Sequence, residues 1–421
     1  MAAPGVEVVA IGDELILGDT IETNGAWLGR RLSDEGIVVR RRTVVGDDDD
    51  AIRAAVSESL ERTGTVICCG GLGPTPDDRT RAVVAALYGW PLDIDEAWVA
   101  TMRARFEARR LRMPEVNRVQ AQVPRGGVLL ANDVGTAPGL LLHDDTQGTT
   151  ILLPGVPQEL RWLVERHVVP YLTGRMARGR TPVLRRLLRT TGIAESALAE
   201  QIDDIVRSIA PLGVAFLPMG TGIDLRLTSW GDLADGEAQA ALDRAERRLR
   251  ERLGPIVYGA ADEDLAALVG AALRARRYTI AVAESCTGGL LAKRLTDAAG
   301  ASDYVIAGIV TYANEAKQRV LGVEAATLAT QGAVSEATAA AMLDGVIRLT
   351  SADCALSITG VAGPGGGTEE KPVGTVWVGA TVPGRRQVRL LRLFGSRGEI
   401  RERSVQAALK ILLDLLRGEE P

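Results

Sequence analysis

Residues 278–295 read YTIAVAESCTGGLLAKRL, and this stretch decides the fold. Tyr278, Ile280 and Val282 alternate as in a β-strand, whereas Leu290, Leu291 and Leu295 repeat at helical spacing. Ser285 therefore falls at a strand-to-helix turn, the unit from which α/β sheets are built. There it either caps the helix, as serine commonly does, or is an exposed nucleophile. In the second case the amides of Thr287, Gly288 and Gly289, at a helix N-terminus, favour developing negative charge.

Composition narrows the chemistry. A chain of 421 residues predicts about three domains. With a net charge of -5 and both signs interspersed, no global field draws in nucleic acid, and small-molecule partners are expected. Cys68, Cys69, Cys286 and Cys354 lack both a disulfide framework and zinc spacing, which suits a reducing cytoplasm. No run approaches the roughly 18 apolar residues of a membrane span, so neither insertion nor export is expected. His143 and His167 are the only histidines. A Ser-His-Asp triad built wholly beyond residue 167 is thus excluded. Lys293, Lys317, Lys371 and Lys410 are the only lysines in an arginine-rich chain, and lysine can lose a proton where arginine cannot.

The opening alternates strand and helix. Val6 to Ile11, Val38 to Val45 and Thr65 to Cys69 read as strands, with helices over Asn24 to Glu35 and after Asp47, which predicts a largely parallel α/β sheet. Two loops at strand carboxyl ends carry the candidate chemistry. Gly12-Asp13-Glu14-Leu15 follows the first strand, and Gly70-Gly71-Leu72-Gly73-Pro74-Thr75-Pro76-Asp77-Asp78 follows the third. The glycines permit close approach to phosphate ahead of a helix expected from about Asp78. Asp77 and Asp78, joined by Asp13 or Glu14, suit a divalent cation such as magnesium or cobalt bridging carboxylate and phosphate oxygens. They equally suit a capped helix. The run Asp47 to Asp50 reads as a solvated helix start.

The strings GDELILGDTIETN (12–24), GGLGPTPDDRT (70–80), NRVQAQVP (117–124), NDVGTAPG (132–139) and LPGVPQEL (153–160) resemble the N-terminal domain of the CinA (competence/damage-inducible protein A) family. That domain is similar to the molybdopterin-binding MoaB/MogA fold. The resemblance implies metal-dependent hydrolysis of ADP-ribose to AMP and ribose 5-phosphate, with Gly70, Gly71, Gly73 and Thr75 at the substrate and Asp13, Glu14, Asp77 and Asp78 at the metal. Glu22 stands where the family commonly has Asp, and keeps the carboxylate.

Gly174 to Pro182 is polar and proline-ended, a linker signal. Beyond it the order is strand (Val183 to Thr190), helix (Glu195 to Ser208), strands near Gly213 to Leu217 and Asp224 to Ser229, and a helix ending near Leu253. This small α+β unit resembles the family's KH-like module. A KH clamp needs a GxxG loop among basic residues, and Gly220-Thr221-Gly222 is too short. A spacer or dimerisation role is expected in its place.

In the last part, Thr311-Tyr312-Ala313-Asn314-Glu315-Ala316-Lys317 supplies the lysine of interest. Burial would lower its pKa toward neutrality and let it serve as base for Ser285. Tyr312 and Asn314 would orient it or the substrate. The glycine-rich run Ser357 to Thr368, followed by Lys371-Pro372-Val373-Gly374, is a loop whose amides can face an anion. It is not a Walker A loop. Lys371 rivals Lys317 as base, and Arg397, Arg401 and Arg403 offer anion contacts. The strings AESCTGG (283–289), YANEAK (312–317), GAVSE (332–336) and TGVAGPGGGTEEKPVGTV (359–376) resemble the C-terminal CinA domain. That domain implies nicotinamide mononucleotide deamidation without a cofactor. Ser285 is then the nucleophile, Lys317 the base, Tyr312 a supporting group, and Thr287, Gly288, Gly289, Asn314, Thr359, Gly363, Gly365 and Arg401 the substrate contacts. The expected organisation is α/β and multidomain: residues 1–172 MoaB/MogA-like, 181–259 KH-like α+β and 262–421 the α/β deamidase. The whole is expected to be a cytoplasmic homodimer acting on small nucleotides.

Overall fold

In the computed structural model, residues 5–176, 182–231 and 233–418 are described. They form two compact units, one running to Leu184 together with Trp230–Asp235, the other comprising Arg185–Ser229 and Gly236 onward.

The first unit is built on a six-stranded sheet in the order Val39–Val45, Val6–Ile11, Thr65–Cys69, Gly148–Leu153, Gly139–Asp144, Val128–Leu130. The first four strands run parallel and the last two antiparallel. All six residues of Val6–Ile11 are buried because helices cover both faces of the sheet. Val6 and Val8 pack with Leu28 and Leu32 of helix Asn24–Asp34, and Val9 and Ile11 with Ile52 and Val56 of helix Asp49–Thr63. Both loops singled out in the sequence leave the carboxyl edge of this sheet. The helix after the second loop begins at Thr80 rather than near Asp78. Asp78 is used instead to close the loop, accepting from the Gly73 amide at 2.7 Å and the Thr75 amide at 2.8 Å.

Gly71 is fixed by two constraints. Its φ is +67°, and a Cβ there would lie 2.0 Å from the Thr80 hydroxyl oxygen. Gly71→Ala is expected to destabilise the first unit by more than about 1 kcal/mol, seen as a lower midpoint in urea unfolding, because neither the backbone nor the helix start can yield cheaply. The linker signal fares differently along its length: helix Val169–Met176 includes Gly174 to Met176, while residues 177–181 lie outside the described residues.

In the second unit, a four-stranded sheet has the order Gly213–Met219, Gly222–Ser229, Leu184–Thr190, Val257–Ala260, with helices Glu195–Ser208 and Asp235–Leu253. Gly220 and Thr221 only turn a hairpin between the first two strands. Tyr258, on the last strand, shares one hydrophobic cluster with Leu265, Ile280, Leu356 and Leu409 of the following part. That part holds five strands in the order Val305–Val310, Ile280–Glu284, Cys354–Gly360, Thr375–Val382, Arg385–Arg392. The first three are parallel and the last two antiparallel to their neighbours. Ile280 and Val282 face helix Arg397–Arg417, whereas Ala281 and Ala283 face helix Glu336–Thr350. This interior strand, covered on both sides, carries Ser285 immediately beyond its carboxyl end.

Candidate functional site

A cleft of about 500 Å³ opens at the carboxyl edge of the first sheet, lined by Glu14, Gly70, Gly71, Gly73, Asp77 and Asp78 among others. Three further carboxylates line it, Glu22, Asp47 and Glu159, and among the described residues no lysine, arginine or histidine does. Asp47 was expected to be merely solvated. Instead its carboxylate accepts the Asp13 amide at 2.9 Å, and its own amide donates to the Asp13 carboxylate at 3.1 Å. Nothing in the local residues foreshadows this, because it depends on parallel strands placing the two loops side by side. Burial, and then the neighbouring Asp13, Glu14 and Asp77, hold the Asp47 carboxyl above the usual range. Asp48, not Asp47, caps the helix, accepting from the amides of Asp50 and Ala51. Thr75 is exposed and bound to Asp78.

The charge of this cleft fits a cation, yet among the described residues no three acidic, histidine or cysteine side chains form a group able to hold a metal ion. Asp13 is turned to Asp47 and Asp78 to its own loop. A divalent cation would therefore need phosphate oxygens of a ligand to complete its shell. Glu159 is the other feature missed. It accepts from the Asn132 side chain at 2.7 Å, and burial raises its pKa against the lowering effects of Asn132 and Arg105. Its string, 153–160, was conspicuous, but nothing in it showed that Glu159 would turn into the cleft.

In the second unit, Ser285 and Lys317 come together. Lys317 lies on helix Asn314–Leu321 and is 1% exposed. Its Nζ is 2.9 Å from Ser285 Oγ, 2.8 Å from the Thr311 carbonyl and 3.2 Å from the Tyr312 carbonyl. Three acceptors around Nζ suit a protonated lysine that donates to each; once deprotonated, the amine keeps two N–H groups for the carbonyls and offers its lone pair to the serine O–H. Burial lowers the Lys317 pKa, with Cys286 opposing. No carboxylate bonds the Lys317 ammonium among the described residues. Lys371 is placed elsewhere, its Nζ donating to the Gln331 carbonyl at 2.7 Å.

The surrounding residues divide sharply. The Ser285 amide donates to the Ile358 carbonyl at 3.0 Å, which fixes the nucleophile to the neighbouring strand. The Gly288 amide donates to the Ser285 carbonyl, and the Gly289 amide to the Glu284 carboxylate. Two of the three expected anion donors, the amides of Gly288 and Gly289, are thus occupied. Cys286 and Thr287 amides bond no backbone carbonyl among the described residues, and they are the donors left beside Ser285. Arg401 donates to the Thr287 carbonyl from Nε at 3.2 Å and Nη2 at 2.6 Å, holding the turn. Thr359 is buried, donating its hydroxyl to the Ala333 carbonyl. Asn314 is exposed at the helix start, and Gly365 is exposed in the glycine-rich loop. Arg397 contributes more than its sequence context suggested: it donates to the Gly363 carbonyl at 2.7 Å and to the Tyr312 hydroxyl at 2.8 Å. It ties that loop to the segment preceding Lys317.

Cys286, next to the nucleophile, is not a rival for it. Burial pushes its thiol up to about 11. All four cysteines are free and buried. A chromogenic disulfide reagent is expected to titrate none of them within minutes in the folded chain and all four after denaturation.

A multidomain α/β protein with a buried Ser–Lys pair at a strand end and a separate acidic cleft is the class these features define. Residues 7–174 match the model of a probable molybdopterin binding domain, residues 185–259 the damage-inducible protein CinA KH domain and residues 262–416 the CinA C-terminal domain. The chain belongs to the CinA family. It is 47% identical over 406 residues to a CinA-like protein of Gemmatimonas aurantiaca, covering 96% of this chain and 94% of that one. It is 43% identical over 422 residues to a putative competence-damage inducible protein of Symbiobacterium thermophilum, covering 98% and 99%. Among solved structures, a CinA superfamily protein of Klebsiella pneumoniae is 39% identical, matching 37% of this chain and 96% of that one, with a TM-score of 0.36. Among the described residues no helix is long and apolar enough to cross a membrane.

Proposed function

We propose that the second unit is an amidohydrolase acting on the carboxamide of nicotinamide mononucleotide. The observation that carries this reading is the 2.9 Å contact between Lys317 Nζ and Ser285 Oγ, made by a lysine whose pKa burial lowers. The choice of substrate rests on the likeness of the 283–289, 312–317 and 359–376 strings to the family. Ser285 Oγ attacks the carboxamide carbon while its proton passes to neutral Lys317. The amides of Cys286 and Thr287 stabilise the oxyanion. Lys317 then gives the proton to the departing nitrogen, releasing ammonia and leaving an ester on Ser285. Water, deprotonated by the same lysine, cleaves that ester to nicotinate mononucleotide. Ammonia release from nicotinamide mononucleotide by the purified chain, with Ser285→Ala alongside, tests this. A wild-type rate no greater than that of Ser285→Ala would sink it.

For the first unit we infer hydrolysis of ADP-ribose to AMP and ribose 5-phosphate. The six carboxylates and absent basic side chains of the cleft favour a pyrophosphate that arrives with its cation. Glu14, Asp47 and Asp77 would share that cation with the ligand, and the cation would offset phosphate charge. AMP formation that requires added divalent metal is the expected result. Metal-independent pterin binding without AMP would favour the molybdopterin-type alternative.

A further inference from the structure

We infer that Glu284 is the positioning residue of the Ser285–Lys317 pair, holding both halves in register. The inference rests on the amidohydrolase reading of that pair. Glu284 is the last residue of strand Ile280–Glu284 and is 0% exposed. Its carboxylate does not meet a cationic partner within hydrogen-bond reach among the described residues. It accepts instead from three amides, those of Gly289 at 3.0 Å, Leu291 at 3.1 Å and Ala292 at 2.8 Å. These are the orphan donors at the start of helix Leu290–Thr296. The positive end of that helix is therefore neutralised from inside the protein, and the five-residue turn bearing Ser285 is pinned at its far end. At its near end, the Ser285 amide is held by Ile358.

The backbone of Glu284 serves the other half of the pair. Its carbonyl accepts the Thr311 amide at 2.8 Å, and the Thr311 carbonyl accepts Lys317 Nζ. One residue thus sets the height of the nucleophile turn through its side chain and the place of the base through its carbonyl. A buried carboxylate bonded to three amides is costly to disturb, since hydrogen bonds to a charged group are stronger than those between neutral ones. Little compliance is left between the two reacting atoms. Two hydroxyls beside them, those of Thr287 and Thr311, are buried without a partner among the described residues, so neither adds to that anchoring.

The test is Glu284→Gln, which keeps the shape but turns an amide NH₂ toward helix amides. Its kcat for ammonia release is expected to fall roughly 10- to 100-fold with KM within about twofold, since a small misplacement of reacting groups costs that much. The rate at which a fluorophosphonate probe modifies Ser285 should fall in parallel, and Glu284→Asp should recover part of both. Leu273→Ala, in helix Leu265–Arg276 and fully buried, is the stability control. It should lower the melting temperature while leaving kcat and labelling near wild type. Normal kcat and labelling in folded Glu284→Gln, or an equal loss in Leu273→Ala, would overturn the inference. If the wild type is labelled but releases no ammonia, the substrate assignment fails while the labelling rates still decide the role of Glu284. Absence of both overturns the two together.

Discussion

Lys317→Met is expected to lower ammonia release roughly a thousandfold, within the range usual for loss of a general base, and at the same time to stabilise the fold at neutral pH. Methionine is the informative replacement because Lys317 is 1% exposed, and alanine would add a cavity. The catalytic loss follows from the 2.9 Å contact with Ser285 and from the absence of histidine beyond residue 167. The gain in stability follows from the sign of the pKa shift. Burial disfavours the charged form, so the folded pKa lies below the unfolded value. Between the two values the unfolded chain binds the extra proton, and stability rises with pH. Below the folded value both states are protonated, and the full penalty of burying the ammonium remains. Methionine removes that penalty. Melting temperatures of wild type and Lys317→Met should therefore diverge most below the folded pKa and converge as pH approaches the ordinary lysine value. A parallel pair of curves would refute the assigned burial effect, and the activity of the wild type should rise with pH over the same window.

How much of this could be read from residues alone varied with distance along the chain. Strands Val6–Ile11 and Thr65–Cys69 and helix Glu195–Ser208 have the bounds that their residues predict, because local spacing and turn residues decide them. The approach of Ser285 and Lys317 was legible from scarcity: without histidine, a serine turn and a rare lysine left few partners. The fine structure of the turn was not. Glu284 carried no signal of its own, yet its buried carboxylate takes the Gly289 amide that had been assigned to substrate, along with those of Leu291 and Ala292. Asp47 failed for the opposite reason. Its neighbours in sequence are solvated, and only the pairing of parallel strands shows it the Asp13 loop.

The second large effect concerns helix Arg397–Arg417, which carries the arginines that hold Thr287 and Gly363. Lys410 and Asp414 form an ion pair on this helix at 2.5 Å and 2.6 Å, with side chains only 12% and 3% exposed. The residues around them, Leu409, Ile411, Leu412 and Leu413, are core. Asp414→Ala removes the carboxylate and leaves an ammonium in that setting. Removing one partner of a buried pair costs about 3–5 kcal/mol, and the slight exposure of Lys410 argues for about 3, since its amine can reach toward water. That is a large share of a domain stability of roughly 5–15 kcal/mol, and it corresponds to a fall of roughly 6–12 °C in melting temperature. The double change Lys410→Met with Asp414→Leu should restore most of it, because well-packed apolar groups replace a buried pair at little or no cost. Catalysis should follow a different course. Asp414 lies 13 positions beyond Arg401, about 20 Å along the helix at its rise per residue. Well below its melting temperature, Asp414→Ala should release ammonia at the wild-type kcat. A fall in kcat without a fall in melting temperature would mean that the helix end is coupled to the Ser285 turn by something other than the stability of the core beneath it.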